Sequence, residues 1–194
     1  MKIFLIGVSC IGTTTIGAKL AVLLDYPFFD LDEEIETFFG TSIERLQNQF
    51  LTIYSFRKEA SKALKYLLSR RVSENCIIAL PPSGLMDNYW RIVKKAARTV
   101  VVLKDKPENI LQRITFYDID SRQIEKHLTK KEKLLYLKEI KKDITYFRRT
   151  YARADLTVDI TGLGPDESAK KINHALEAIL QTKADMEKQR AEHL

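Results

Sequence analysis

The chain has no apolar run long enough to cross a bilayer, only two cysteines, and no internal repeat. A spanning helix needs about 20 consecutive apolar residues, and the N-terminal apolar stretch is interrupted too early to be a span or a signal peptide. A soluble, cytoplasmic protein without a membrane partner is therefore expected. Cys10 and Cys76 have neither CxxC nor metal-ligand spacing, which points to a reducing compartment. Cys10 reads either as a small buried residue or, beside a helix N-terminus, as a reactive thiol. Without disulfides or a structural metal the fold must rest on a hydrophobic core, and 194 residues suffice for one α/β domain. The basic residues lack the aromatic interleaving of nucleic-acid binders. The net charge of +6 thus suits small anions such as nucleotides or carboxylates, and no nucleic-acid partner is expected.

What is present begins at the N-terminus. Residues 2–7 read as a buried strand, and residues 14–24 carry apolar side chains at helical spacing (Ile16, Leu20, Leu23, Leu24). Between them, residues 7–15 outline a phosphate-binding loop: Gly7 and Gly12 stand five apart, and Thr14 sits where a hydroxyl would ligate Mg²⁺. A strand, a glycine turn and a helix N-terminus make an anion site, because free backbone N–H groups and the positive end of the helix dipole converge there. One residue is missing. The position that such loops fill with lysine is Thr13.

Strands and helices then alternate. Residues 26–32 form a short apolar strand ending in Asp30 and Asp32; helices follow over 33–39, 42–49 and 55–70, with Thr41 or Ser42 as a cap. A strand at 76–80 leads into the rigid loop Pro81, Pro82, Ser83, Gly84. A helix at 87–97, a β-branched strand at 99–103, a helix opened by Pro107 and reaching about Ile114, and a last strand at 156–159 complete the pattern. This order predicts a three-layer α/β fold with a central parallel sheet of about five strands. The polar stretch 115–124, before a helix near Lys131, is a candidate lid. Residues 1–182 read as the domain and 183–194 as a charged helical tail, either a solvated helix end or a partner site.

The blocks at 3–7, 7–15, 27–36, 40–46, 56–57, 99–103, 121–122 and 154–159 together resemble the shikimate kinase family of small phosphate-loop kinases. The resemblance implies a monomer that uses ATP and Mg²⁺ to phosphorylate a small anionic hydroxy acid. It puts nucleotide on Gly7, Gly12, Thr13, Thr14, Thr15 and Arg113, and the metal on Thr14 and Asp30. Asp32 would meet the substrate hydroxyls, Arg57 the carboxylate, and Ser83 and Gly84 the substrate floor. Arg122 would close over the transferring phosphate, with Lys126 a further lid cation. Two acids one residue apart on a strand point to one side, which suits a metal ligand beside a substrate ligand; alternatively Asp30 and Asp32 end a strand and cap the next helix. Arg57 reads equally as a solvated ion-pair donor, since Ala60 stands where the family has a supporting glutamate.

Two departures from the family pattern are severe. Thr13 replaces the lysine that follows charge into the transition state, and Pro81, Pro82 and Ser83 replace three glycines. The second substrate arginine has no match in register, Arg148 and Arg149 being nearest. A kinase with a degenerate phosphate clamp and weak or absent ordinary activity is expected. The alternative is an inactive member that binds a nucleotide, a metabolite or a protein.

Overall fold

A computed structural model describes residues 1–96 and 98–191, with side chains described through residue 182. Five parallel strands form the central sheet: β1 (Lys2–Ile6), β2 (Phe28–Asp30), β3 (Cys76–Ala79), β4 (Arg98–Lys104) and, late in the chain, a strand at Leu156–Asp159. They lie in the spatial order β2, β3, β1, β4, Leu156–Asp159, so β1 is central. Side chains alternate across a strand, and the core divides accordingly. Ile3 and Leu5 pack on one face with Ile16, Leu20 and Val101, while Phe4 and Ile6 pack on the other with Leu64, Ile78 and Val102.

Helix α1 (Thr13–Leu24) follows β1 directly. Helices α2 (Leu31–Phe39), α3 (Ile43–Gln47) and α4 (Ile53–Ser69) come between β2 and β3. The acidic strand end is shorter than its sequence suggests. β2 stops at Asp30, and Leu31 begins α2 because Asp30 adopts extended backbone and caps it, Oδ1 accepting from Asp32 N at 2.9 Å. The geometry of two acids on one strand therefore does not apply, and the capping alternative describes the backbone. Ser42 caps α3 by accepting from Arg45 N, and the carboxylate that supports this end is Glu36, which accepts from Ile43 N at 2.9 Å.

Helix α5 (Asp87–Val93) is shorter than expected, and Ala97 lies outside the described residues. Helix α6 (Pro107–Gln112) precedes the polar stretch, which is a β-hairpin: β5 (Phe116–Tyr117) pairs antiparallel with β6 (Gln123–Ile124). Helix α7 (Lys130–Tyr151) opens with a reciprocal cap between Thr129 and Glu132. The last strand is β7 (Leu156–Asp159), and α8 (Pro165–Ala191) packs back along α1. The sequence expectation of a solvated charged end at 183–194 falls on residues whose side chains lie outside the described set. Among the described residues no helix is long and apolar enough to cross a membrane.

Candidate active site

The loop between β1 and α1 is shaped by two glycines. A side chain on Gly7 would come within 2.7 Å of Ile11 Cγ2 and 3.2 Å of the Leu103 carbonyl, so only glycine admits the close approach. Gly12 has φ of 105°, a left-handed conformation that side chains disfavour. No side chain caps α1. Its first intrahelical bond is Ile16 N to Gly12 O at 2.9 Å, so the N–H groups of Thr13, Thr14 and Thr15 precede the helical ladder. This is the backbone arrangement that binds phosphate.

Beside the loop, Thr14 Oγ1 donates to Asp30 Oδ2 at 2.5 Å. Thus Asp30 caps α2 with one oxygen and meets the loop hydroxyl with the other. A hydroxyl and a carboxylate are hard oxygen donors suited to Mg²⁺. Among the described residues no group of three His, Cys, Asp or Glu could hold a metal unaided. At phosphate sites Mg²⁺ takes one or two protein oxygens and completes its shell with phosphates and water.

Two cavities meet at Asp32. One, of about 430 Å³, contains Thr14, Asp30, Glu33, Glu36 and Glu44 and is roofed by Tyr117 and Ser121 of the hairpin. The other, of about 400 Å³, holds Arg57, Pro81, Pro82 and Ser83. Among the described residues Asp32 is the only charged side chain that lines both. Its carboxyl is pushed up to about 7, first by the protein crowded around it, then by Asp30, Glu36, Glu33 and Glu44. Asp32 is exposed to solvent, which discounts the crowding and leaves repulsion among the carboxylates as the more durable cause of the shift. Between the ordinary carboxylate range and about 7, the folded protein holds a proton that the unfolded chain has released, so stability falls as pH rises through that window. Asp32→Asn should accordingly raise the thermal midpoint by about 2–4 °C near pH 8 and hardly at all near pH 4. Calorimetric melts at the two pH values check this; equal gains at both would remove the charge argument.

Arg57 projects from α4 into the second cavity with only 13% of its side chain exposed. Its Nη1 lies 3.4 Å from Asp87 Oδ2, and its buried Nε has no partner. Asp87 has φ of 47°, a strained conformation for a side-chain-bearing residue. Sequence spacing could not reveal this partner, because the pair is 30 residues apart.

Other expected residues lie elsewhere. Gly84 is buried against Leu80 and does not line the cavity; its N–H donates to Pro81 O at 2.7 Å, closing the turn. Arg113 braces the loop from below, with Nη1 donating to Ile11 O at 3.3 Å and Nη2 2.7 Å from the enclosed Asp105. Arg122 is exposed on the hairpin turn and lines neither cavity. Lys126 lies over the Phe116 ring at 5.1 Å and 3.5 Å from Glu132. The hairpin turn is latched to the far side of the cleft: Ser42 Oγ donates to Ile119 O at 2.5 Å, Arg45 Nε lies 2.6 Å from Asp120 Oδ1, and Ser121 Oγ donates to Glu36.

This geometry accompanies a sequence match to the shikimate kinase family model over residues 9–177. The chain belongs to the shikimate kinase family. It is 34% identical to the shikimate kinase of Aquifex aeolicus over 178 residues, which cover 91% of this chain and 96% of that one. The crystal structure of an Aquifex aeolicus shikimate kinase superposes with a TM-score of 0.70 at 30% identity, covering 93% of this chain and 98% of that one. The bifunctional shikimate kinase/3-dehydroquinate synthase of Thermotoga maritima is 34% identical over 115 residues, 59% of this chain but only 22% of that longer protein. The family uses ATP and Mg²⁺ and acts on shikimate, and the five-stranded parallel sheet described above is its phosphate-loop fold.

Proposed function

We propose that the protein binds ATP with Mg²⁺ at residues 7–15 and phosphorylates the hydroxyl of a small acid held between Asp32 and Arg57, with weak or absent turnover of shikimate itself. The observation that carries this reading is the position of Asp32, shared by the cavity beside Thr14 and the cavity beside Arg57. A group there touches both a bound phosphate donor and an acceptor hydroxyl. Gly7, Gly12 and the N–H groups of Thr13, Thr14 and Thr15 hold the phosphates; Thr14 and Asp30 hold Mg²⁺. The ion, when bound, neutralises phosphate charge. Asp32, whose carboxyl is pushed up by its crowded surroundings and by the neighbouring carboxylates, would orient the acceptor and take its proton in its ionised form, which a cation held by Thr14 and Asp30 would favour. Arg57, backed by Asp87, offers its unpaired Nε–H and remaining guanidinium donors to the acid's carboxylate. Ser83 contributes a hydroxyl to the floor. Arg113 keeps the loop in place on the nucleotide side, and Arg122 is carried by the hairpin that covers the cleft.

Weak turnover follows from Thr13, which offers no charge to the transferring phosphate, and from the two prolines on the cavity wall. The same two positions favour the second reading, a member that binds nucleotide and acid but transfers nothing. Titration of ATP with and without Mg²⁺, followed by a coupled phosphotransfer assay with shikimate, separates the possibilities. Binding that requires Mg²⁺ is expected, with turnover near background. Absence of ATP binding under either condition would remove the kinase reading altogether.

A further inference from the structure

Helix α7 supplies two side chains to the cavity that contains Asp32 and Arg57, namely Asp143 and Phe147. Phe147 is buried and stacks on Tyr151 at 5.4 Å, so it is a fixed apolar wall. Asp143 is exposed, and among the described residues it makes no hydrogen bond or ion pair. The adjacent lysine is engaged elsewhere, Lys142 Nζ lying 2.6 Å from Glu139 Oε1. Partial burial and then Glu139 raise the Asp143 carboxyl above its ordinary value, with Lys142 offsetting only part of this. This carboxylate is short of a cation.

Among the described residues two acids, Asp32 and Asp143, and one arginine, Arg57, line the cavity. Among the described residues no second arginine lines the wall. Arg148 lines a different cavity, bounded by Val8, Ile11 and Lys104, and neither it nor Arg149 lines the one with Arg57. A ligand whose only charge is a carboxylate would meet Arg57 favourably and leave Asp143 without a counter-charge. A ligand with a carboxylate, a hydroxyl and a cationic nitrogen would meet a complementary group at each: Arg57, Asp32 and Asp143.

We propose that the acid accepted at this site also carries a cationic amino group, making it a hydroxy amino acid or an aminated hydroxy acid, and that Asp143 is the residue that selects it. The proposal rests on the reading of the cavity as the acceptor site of a kinase. It adds no chemical step to that reading, because the phosphate acceptor is still the hydroxyl at Asp32.

The test uses matched ligands that differ by one ammonium group, with calorimetric titration of the full chain. Homoserine is compared with 4-hydroxybutyrate, and an analogue of shikimate bearing an amino group in place of one ring hydroxyl is compared with shikimate. The ammonium-bearing member of each pair should bind about tenfold more tightly, as one close ion pair in a partly desolvated cleft allows. In Asp143→Asn that preference should shrink to about twofold or less, while the carboxylate-only members bind equally well or better. Arg57→Ala should weaken all four ligands. Equal or tighter binding of the carboxylate-only members by the unmodified protein overturns the proposal, as does a preference that survives Asp143→Asn, or no binding of either ammonium-bearing ligand. If Arg57→Ala weakens all four ligands and Asp143→Asn changes none, only this proposal fails. If Arg57→Ala changes nothing, the acceptor-site reading fails with it.

Discussion

Thr13→Lys should tighten ATP binding by roughly 10- to 100-fold, the range for adding one charge-assisted contact to phosphate. The backbone donors are already in place: α1 starts at Thr13 without a side-chain cap, and Gly12 holds the left-handed turn before it. What the loop lacks is an ammonium that reaches the outer phosphates. Calorimetry on the folded variant measures the change. Unchanged affinity would mean that the loop takes no part in phosphate binding, whatever its shape.

Tighter nucleotide binding will not by itself restore shikimate phosphorylation. Thr13→Lys alone should leave turnover near background, because the acceptor side of the cleft is altered independently. Pro81 and Pro82 line that side and bring no N–H donors, and the carbonyl of Pro82 accepts from the Tyr151 hydroxyl at 3.2 Å, which ties the segment to α7. Replacing residues 81–83 by glycines in the Thr13→Lys background should raise turnover by at least about 10²-fold, on the scale of restoring a preorganised donor. Asp32→Asn in that triple-glycine background should then lose about 10²–10⁴, the usual contribution of a positioned base. Robust shikimate turnover by the unmodified protein would overturn this account. The replacement charge would then have to come from Arg122 with the hairpin rearranged, since Lys126 is held over Phe116 and beside Glu132.

The phosphate loop was legible because its determinants are local. An apolar strand, two spaced glycines and a helical period lie within 24 residues, and β1, the loop and α1 follow that reading closely. Asp30 and Asp32 were legible as a pair but not as a geometry. A two-residue spacing suits either a strand or the first turn of a helix, and the hydrogen bond from Asp32 N to Asp30 decides for the helix. Asp87 and Asp143 gave no signal. Each matters through a neighbour distant in sequence, and α7 carries charges around most of its circumference, with only Ile140 and Phe147 buried, so its periodicity did not single out the face that meets the cavity. The hairpin was equally hidden: its two strands have two residues each, and its anchors Glu36, Ser42 and Arg45 are about 75–85 residues upstream.

Those anchors give the hairpin a property separate from any ligand it covers. Its ion pair, Arg45 with Asp120, is open to solvent on both sides, with 52% and 43% of the side chains exposed. Such a pair contributes little in water and is screened by electrolyte over about 10 Å at 0.1 M ionic strength. The other two anchors are neutral-donor hydrogen bonds that water readily replaces. Added salt therefore weakens the ion pair first, while the bond from Ser121 ties the cover to Glu36 in the Asp32 cavity. Ionic strength thereby becomes a handle on the cover that acts through Arg45 and Asp120, neither of which lines either cavity.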